Sequence, residues 1–586
     1  MWPELLRLRK KDVVCLTVCV AAYFIISILL YKDVSKDFYF SIGLVAVVLA
    51  VLAFRSISAR GNPVIYSRRT ESFLFVIVAL GIGGMAFSRF SPWTDNYISE
   101  FKKAKGFQQE TDATEAAAIK NADSSGTFFR YSDSGSVIVS NGSVVSGVSN
   151  THTYWSLVNS GVTDFYQKTL TSVKQIFNMK GFDTRTMLEE ICSTKYFVTK
   201  SADDKKIPYG YHLVSNTEVA KPNGSSVNYF VYENEYALPF GYTYDSSITE
   251  EQAEILTPLE LQEAMIQTVI LDGSDPESGV ADEKKQENSF SGLSFHHTKK
   301  DYEVTCDSDG VTMQGNSFVV TGTDQKVKLT FSGAADSETY LAFQNLQFSG
   351  VSEYDLYNDD ETIDPLELYG KEEWEALGEE KQKELKRGAR RYVEPSMMNL
   401  VATAKHEDGS KTVNKIIYQT PRYKWYNNRK DLLFNLCYAE SPVTSIEIKF
   451  PKRGVYTFGG MDIYCQPFTD YADQTEQLRE NTLENFDLHE NEANVTEHIT
   501  GTINLQKPKI LFLSIPYSDG WTAFVDGKET DILKANYAFM ALDLDAGEHE
   551  IELRYRTPGL KTGIAVSCAG VVAVVLIVWF RKRKGF

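Results

Sequence analysis

The sequence predicts a membrane-anchored α+β protein. Four transmembrane helices would carry a large extracytoplasmic region with a small α/β domain and two antiparallel, jelly-roll-like β-sandwich domains. Three observations predict this fold class. Apolar segments lie near both ends of the 586-residue chain. Basic residues flank those segments, whereas the centre of the chain is acidic and polar. Short, evenly spaced strand-like runs with Gly and Asn turns fill most of the second half.

The apolar segments predict membrane spans because each is about 17–19 residues long, which is enough to cross the hydrocarbon core of a bilayer. The first segment is not interpreted as a cleaved signal peptide, because Tyr31, Lys32 and Asp33 follow it in place of a small-residue cleavage site. Residues 1–88 are therefore predicted to hold three spans and the C-terminus a fourth, at about 13–31, 38–54, 72–88 and 563–580.

The charges that flank the spans predict their orientation. The N-terminus, the connection between the second and third spans, and the tail 581–586 are all basic, so the positive-inside rule places them in the cytoplasm. The first connection carries Lys32, Asp33, Lys36 and Asp37, has no net charge and is predicted to lie outside. Residues 89–560 would then be extracytoplasmic, in a multi-pass membrane protein.

The central region is strongly acidic. The chain has 60 Lys and Arg and 78 Asp and Glu. Removing the 16 basic and 5 acidic residues outside Phe90–Leu560 leaves 44 basic and 73 acidic residues inside it, a net charge of −29. A surface of this sign argues against nucleic acid as a partner. The acidic surface is explained by the need for solubility, and binding of cationic groups on a polymer is the open alternative.

Composition and periodicity divide the extracytoplasmic region into three predicted domains. Alternating helical and strand patterns predict the α/β domain, and successive short strands predict each sandwich. A charged helical insertion held by i,i+4 pairs is predicted at 364–391, and a linker helix at Leu478–Asn485. The predicted domains are 89–240 (α/β), 241–470 (β-sandwich) and 471–560 (C-terminal β-sandwich).

The stretch Lys509–Tyr555 carries the strongest strand pattern. Ile510–Ile515 is a nearly continuous apolar run, which is typical of a strand buried on both faces. Asp526-Gly527 predicts a tight reversal because both residues tolerate positive φ. Residues 549–555 then alternate between apolar and charged side chains, as in a half-solvated strand.

The seven cysteines form no CxxC pair and no metal-ligand spacing. Four of them, Cys192, Cys306, Cys437 and Cys465, lie in the predicted extracytoplasmic region. One disulfide, between Cys437 and Cys465, stays open as an alternative, but the scattered spacing favours buried free thiols.

Sequence motifs point to no catalytic centre. The chain contains no Walker A loop, dinucleotide fingerprint, HExxH or GxSxG motif, so no catalytic, metal-binding or cofactor-binding residue is assigned. Four residues are candidate substrate contacts, because aromatic faces pack against the C–H groups of sugars. Core packing is the alternative interpretation of each. The candidates are His152, Tyr154, Trp155 and Trp521.

Three segments carry a family resemblance. They are MLEEICSTKYFVT (187–199), YENEYALPFGYTY (232–244), and the C-terminal pair SIPYSDGW and DAGEHEIELRYRTPG, which runs into the last apolar segment. In this order they resemble the bacterial YfhO family of polytopic membrane proteins, which is linked to glycosylation of cell-envelope polymers such as lipoteichoic acid. The resemblance implies a GT-C-type glycosyltransferase of the bacterial plasma membrane that takes sugar from a polyprenyl-phosphate donor.

The chain departs from that family pattern at its N-terminus, where three predicted spans stand in place of about a dozen. Asp33 and Asp37 occupy the short outer connection, but no catalytic role is transferred to them. We therefore expect the C-terminal portion of a YfhO-like protein that contributes the acceptor-binding ectodomain. Its expected partners are the lipid bilayer, an envelope glycopolymer, and an N-terminal membrane portion or other glycosylation proteins. The alternative is a non-catalytic, membrane-anchored surface module.

Overall fold

A computed structural model describes residues 112–273, 292–350, 375–383, 397–489 and 497–583, apart from 136, 174 and 307, together with residues 18, 76, 79, 81, 83 and 109. The chain divides into a unit Met1–Gln108 and a unit Gln109–Phe586, and all elements below belong to the second unit. Apart from residues 18, 76, 79, 81 and 83, the predicted spans 13–31, 38–54 and 72–88 lie outside the described residues.

A body at the start of the second unit, residues 112–240, is called the N-terminal body. Its main sheet has the strand order β1-β4-β6-β5, in which β1 and β4 are parallel and the other pairs antiparallel. Helix α1 packs on this sheet through Ala118 and Ile119, which are fully buried. The elements in this part of the chain are α1 (Glu115–Ala122), β1 (Arg130–Ser132), α2 (Gly142–Ser146), β2 (His152–Tyr154), α3 (Ser160–Lys168), β3 (Asn178–Lys180), α4 (Thr186–Ile191), β4 (Thr194–Thr199), β5 (Tyr211–Ala220), β6 (Ser226–Asn234), β7 (Gly241–Tyr244), β8 (Ser247–Thr249), α5 (Glu250–Ala253), α6 (Pro258–Gln267) and β9 (Val269–Leu271).

A second body, called the middle body, extends from residue 298 to 467. A four-stranded sheet and a five-stranded sheet share one apolar core, and a third, four-stranded sheet also contributes to it. Its elements are β10 (Thr298–Lys300), β11 (Tyr302–Cys306), β12 (Val311–Gln314), β13 (Ser317–Val320), β14 (Gln325–Phe331), β15 (Ser337–Gln344), β16 (Gln347–Gly350), β17 (Met397–His406), β18 (Lys411–Gln419), β19 (Leu432–Ala439), β20 (Val443–Phe450), β21 (Gly454–Thr457) and β22 (Gly460–Pro467). The sheet orders are β10-β22-β15-β19, β11-β14-β20-β17-β18 and β12-β13-β21-β16.

The remaining elements form the C-terminal body and one long helix. They are α7 (Tyr471–Arg479), β23 (Glu484–Asp487), β24 (His498–Leu505), β25 (Lys509–Pro516), β26 (Trp521–Val525), β27 (Lys528–Thr530), β28 (Leu533–Ala535), β29 (Phe539–Leu544), β30 (Gly547–Tyr555) and α8 (Leu560–Arg583). A five-stranded sheet, β23-β24-β30-β26-β27, faces a six-stranded sheet, β7-β25-β29-β28-β9-β8. The described chain is thus mostly β-sheet.

Strand β25 is buried on both faces, as its continuous apolar sequence predicts. Leu511 and Leu513 face the core shared with the five-stranded sheet. Ile510 and Phe512 face the opposite core, which is completed by α3, α4, α6 and α7. The six-stranded sheet therefore lies between a second sheet and a layer of helices, which explains why no polar residue interrupts Ile510–Leu513.

The predicted turn between β26 and β27 is confirmed. Val525 pairs with Lys528, so Asp526 and Gly527 form a two-residue loop, and their φ angles are 54° and 77°. Two positive φ values define the type I′ turn that matches the twist of a hairpin. The Asp526 carboxylate also accepts a hydrogen bond from the Glu550 N–H at 2.8 Å, which ties the turn to β30.

Two parts of the structure differ from the sequence analysis. Residues 241–271, grouped there with the middle domain, contribute β7, β8 and β9 to the six-stranded sheet of the C-terminal body. The linker helix predicted at Leu478–Asn485 is wrong: α7 ends at Arg479, and Glu484 pairs with Thr502 of β24 instead. Sheet pairing overrides the helical pattern of this segment.

Of the predicted insertion 364–391 only 375–383 is described, and its Lys383 Nζ lies 3.4 Å from Glu379 Oε2, an i,i+4 pair.

The described cysteines are free thiols, and Cys192, Cys437 and Cys465 are buried as the sequence favoured, whereas Cys306 is exposed. Cys437 of β19 and Cys465 of β22 both pair with Thr339 of β15, one on each side of it. Two residues separated by an intervening strand lie about 9–10 Å apart, beyond the reach of a disulfide. The alternative pairing is therefore excluded by the strand order.

Helix α8 is the one helix in the described residues that is long and apolar enough to cross a membrane. Its segment Leu560–Ile577 has a mean hydropathy of 2.2 and overlaps the span predicted at 563–580. The helix begins five residues after β30 ends, so the C-terminal body is joined directly to it.

A buried polar cluster joins the middle body to the helical layer. The Arg185 side chain is fully buried, and its guanidinium donates to Gln262 Oε1 at 2.8 Å and to the carbonyls of Thr169 and Pro258. The same guanidinium carbon lies 5.8 Å from the ring centre of Tyr340 in β15. One cation therefore contacts three segments that are distant in sequence.

Glu338 of β15 completes this cluster by capping α4. Its Oε1 accepts hydrogen bonds from the Thr186 N–H at 2.8 Å and the Thr186 hydroxyl at 2.7 Å, and its Oε2 accepts from the Tyr340 hydroxyl. Burial raises the pKa of Glu338, although the hydrogen bonds from Tyr340 and Thr186 oppose that rise. A side chain of the middle body thus accepts hydrogen bonds from the first turn of a helix in the N-terminal body.

Candidate functional site

A cleft of about 930 Å³ lies between the N-terminal body and the segment that follows α7. We call it the Phe128 cleft. Its size is within the range of ligand-binding pockets, which are about 300–1,000 Å³. The walls come from the end of α1, the loops before β1 and β2, the start of β4, the segment between β6 and β7, and residues 479–488.

Three phenylalanine rings form the apolar floor of the cleft. Phe240 stacks on Phe486 with ring centres 4.5 Å apart and an angle of 25° between the planes. Phe128 meets Phe240 edge-on at 5.2 Å, and the Arg130 guanidinium lies 4.9 Å from the Phe128 ring centre. Phe240 is almost fully buried, whereas Phe128 and Phe486 stay partly exposed and can contact a ligand.

Charged side chains form the rim on the side of the N-terminal body. Lys195 Nζ lies 3.3 Å from both Asp123 Oδ1 and Glu233 Oε1, and 4.9 Å from the Tyr196 ring centre. Burial alone would lower the pKa of Lys195, but its hydrogen bonds with Tyr196 and Glu233 raise it above its ordinary value. Burial of Asp123 acts against ionisation, but hydrogen bonds from Ser125, Lys195 and Tyr196 lower its pKa. Both groups are therefore charged at neutral pH.

Arg479, the last residue of α7, contributes the opposite wall. Its Nη1 donates to the Glu235 carbonyl at 3.1 Å, and its Nη2 lies 3.5 Å from Glu476 Oε2. Its Nε is buried and has no hydrogen-bond acceptor among the described residues. This wall thus carries a fixed positive charge, and Glu484, Asn485 and Asp487 offer acceptors beside it.

This arrangement fits the binding of a polyol or a sugar. An aromatic floor packs against C–H faces, and planar polar groups around it bond hydroxyls. In the residues that the structure describes, no group of three or more His, Cys, Asp and Glu side chains could hold a metal ion.

The structure separates the four candidate residues of the sequence analysis. His152 is buried, and its Nε2 lies 2.9 Å from Asp133 Oδ1 in a fully enclosed pair. Tyr154 and Trp155 lie on the surface. Trp521 is partly buried and packs on Tyr555, with ring centres 5.1 Å apart. None of the four lines the Phe128 cleft, and their predicted role in sugar binding stays a prediction.

Sequence reasoning missed the cleft because its floor is assembled from three distant segments. Phe128 follows a Gly-Thr pair, Phe240 follows a proline, and Phe486 follows the segment interpreted as a helix. Each signal by itself is a single phenylalanine next to a turn. Only the pairing of β23 with β24 brings Phe486 to the other two rings.

Comparisons with known proteins place the chain among membrane proteins. The family described as "Bacterial membrane protein YfhO" matches residues 1–567. The "Uncharacterized protein YfhO" of Bacillus subtilis (strain 168) is 22% identical over 444 residues, which are 75% of this chain and 42% of that protein. The chain therefore spans less than half the length of this curated relative.

Two solved structures overlap the fold loosely. The CBM22-1–CBM22-2 tandem domain of Xyn10C from Paenibacillus barcinonensis covers 44% of this chain and 86% of its own, at 8% identity and a TM-score of 0.16. The arabinofuranosyltransferase AftD from Mycobacteria covers 88% of this chain and 68% of its own, at 9% identity and a TM-score of 0.28. Overlaps this loose support no argument about the fold or activity of this chain.

Proposed function

Because the chain belongs to the YfhO family of bacterial membrane proteins, we propose that it takes part in glycosylation of cell-envelope polymers and that its β-rich region binds the polymer acceptor. The Phe128 cleft is the observation that carries this proposal. Its aromatic floor and its fixed ammonium, guanidinium and carboxylate groups suit a polymer of sugars or polyol phosphates. The donor implied by the family resemblance is a polyprenyl-phosphate sugar.

Lipoteichoic acid is the probe that tests acceptor binding. The full chain in nanodiscs is expected to bind it, and Phe486→Ala is expected to weaken that binding about tenfold, since aromatic contacts contribute about 0.5–1.5 kcal/mol each. Titration calorimetry measures both. Phe524→Ala is the matched control, because Phe524 is a partly exposed phenylalanine of the same body that lies outside the cleft, under Arg554.

Absence of binding to the unaltered chain would overturn the proposal. Equal losses of affinity in Phe486→Ala and Phe524→Ala would show that the Phe128 cleft is not the binding site. The alternative function, a non-catalytic surface module, shares the binding step. An assay of sugar transfer with a polyprenyl-phosphate donor, run with a separately expressed N-terminal membrane portion added, separates the two, because only the glycosylation function predicts product.

We further propose the topology that the charge pattern predicts. The chain would cross the plasma membrane four times, with both ends in the cytoplasm and residues 89–560 outside. The bodies outside would be a small α/β domain and two sandwiches of the jelly-roll-like kind. The helix α8, with its basic end at Arg581, Lys582 and Arg583, supports the orientation of the last span.

Cysteine labelling of intact cells tests this topology. In a background without the native cysteines, an impermeant maleimide is expected to label a cysteine placed at Ser410 and to leave one placed at Ser67 unlabelled until the cells are opened. Ser410 lies in the β17–β18 turn, next to exposed residues. Labelling of the Ser67 site in intact cells would contradict the orientation.

A further inference from the structure

An exposed apolar surface lies on the N-terminal and middle bodies, away from the residues that line the Phe128 cleft. The side chain of Leu157 is 85% exposed and that of Trp155 59% exposed, which is unusual for large apolar groups in a folded region. We call this patch the aromatic surface. It consists of Tyr154, Trp155, Leu157, Ile176 and Trp425, all of them exposed.

Ring contacts through Phe177 join Tyr154 to Trp425. The Phe177 ring lies 5.7 Å from Tyr154 and 5.8 Å from Trp425, edge-on to both. The Trp155 N–H donates to the Phe177 carbonyl at 2.9 Å, which fixes the segment 154–157 beside residues 176–177. The residues are thus held in place by the fold, and their exposure is built into the structure.

The aromatic surface is connected to the base of the membrane helix. Asn159, two residues after Leu157, donates through Nδ2 to the Tyr517 carbonyl at 2.6 Å. Gly520, at the other end of the same loop, accepts a hydrogen bond from the Arg556 N–H at 2.8 Å. Arg556 is four residues before α8 begins. Two hydrogen bonds and one short loop therefore link the exposed segment to the point where the chain enters α8.

The segment that carries Trp425 is basic, whereas the region as a whole is acidic. Residues 420–430 contain Arg422, Lys424, Arg429 and Lys430, followed by Asp431, whereas Phe90–Leu560 has a net charge of −29. The Arg429 guanidinium is buried and donates to the Thr171 carbonyl, so the exposed cations of this segment are Arg422 and Lys424. Lys424 is exposed, and its Nζ lies 4.8 Å from the Trp425 ring centre. Lys180, at the end of β3, is exposed as well.

We propose that the aromatic surface is a membrane-contact surface, which rests on the same bilayer that α8 crosses and binds its anionic headgroups. Tryptophan and tyrosine favour the headgroup level of a bilayer, aliphatic tips enter the acyl boundary, and neighbouring Lys and Arg side chains bind anionic lipid. A sugar site would use the rings but gains nothing from Leu157 and Ile176, which cannot bond hydroxyls. The contact would hold the region at a fixed height above the membrane. It stands independently of acceptor binding in the Phe128 cleft.

Fluorescence of an NBD group attached at Leu157→Cys tests the proposal. The full chain, with its native cysteines replaced, is placed in nanodiscs of phosphatidylcholine and phosphatidylglycerol. The label is expected to emit at shorter wavelength than the same label at an exposed control site and to lose its fluorescence when nitroxide-labelled lipid is included. Leu213→Cys is the matched control, since Leu213 is an exposed leucine on β5 of the N-terminal body. A label at this site is expected to emit at the longer wavelength typical of water and to escape quenching by the lipid.

Reversing the charge of Lys424 tests the role of anionic lipid, and adding lipoteichoic acid tests whether the aromatic surface binds polymer in place of the membrane. Lys424→Glu is expected to reduce quenching at the Leu157 site in anionic nanodiscs and to leave it unchanged in phosphatidylcholine alone. A Leu157 label that is unquenched in both lipid mixtures overturns the proposal. A Leu157 label that reports water in nanodiscs but becomes shielded when lipoteichoic acid is added overturns it as well, and assigns the surface to the polymer. Either result leaves the Phe486 experiment unaffected.

Discussion

Replacing Arg185 with methionine is expected to lower the free energy of unfolding by about 3–5 kcal/mol. Methionine fills most of the volume but donates no hydrogen bond. The Gln262 side chain and the carbonyls of Thr169 and Pro258 would then each lose a buried donor, and Glu338 would lose the nearby cation that favours its ionised form. Urea denaturation of the full chain in nanodiscs, followed by tryptophan fluorescence, measures the change.

Arg422→Met is the control for that experiment, because Arg422 is exposed and a substitution at the surface changes stability by about 0.5 kcal/mol or less. Equal stabilities of the Arg185 variant and the unaltered chain would contradict the role assigned to the buried cluster. A gain in stability would do so too. It would show that burying the guanidinium costs more than its hydrogen bonds return, as happens in some buried ion clusters.

Raising the pH from about 5 to 8.5 is expected to destabilise the chain, and Glu189→Gln is expected to remove part of that loss. Burial of Glu189 in α4 raises its pKa to about 8, although hydrogen bonds from Ser132 and Thr194 oppose the rise. Burial raises the pKa of Glu190 to about 8 as well. Between the unfolded value near 4.5 and the folded value near 8, the folded chain holds more protons than the unfolded chain, so stability falls as pH rises.

The size of this effect follows from the shift. One pKa unit corresponds to about 1.4 kcal/mol, so each carboxyl accounts for a loss on the order of 4 kcal/mol across the window. Thermal melting in nanodiscs at a series of pH values measures it. Glu189→Gln should match the unaltered chain near pH 5 and exceed it near pH 8.5, since glutamine stays neutral. Parallel pH profiles of the two proteins would show that the Glu189 carboxyl does not titrate in this window.

Local patterns predicted the elements whose form depends on neighbours in sequence. The apolar run Ile510–Leu513 predicted a doubly buried strand, and Asp526-Gly527 predicted a tight hairpin, because a few adjacent residues determine each. Each is confirmed by burial, register or backbone angle.

Features that depend on distant contacts could not be predicted. The burial of Arg185 has no local signal, since a lone arginine before a short helix is usually exposed. His152 was a candidate substrate contact because it stands near Tyr154 and Trp155, with core packing as the alternative. It is buried, and its Nε2 lies 2.9 Å from Asp133 Oδ1. The segment 478–485 has a helical pattern, and only its pairing with β24 makes part of it a strand and completes the Phe128 cleft.

The six-stranded sheet of the C-terminal body also determines when this protein can finish folding during its synthesis. Ile270 of β9 donates its N–H to the side chain of Asn536, which is 266 residues later in the chain. At about 5–20 residues per second, synthesis of that interval takes on the order of 15–50 seconds. Strands β7, β8 and β9 therefore emerge long before β25, β28 and β29 exist. Strands β8 and β9 can pair with each other, but β7 and the edge of β9 that pairs with β28 stay unpaired throughout. The middle body, encoded entirely within the interval, can fold first, so residues 241–271 have to stay protected from aggregation while the ribosome completes the rest.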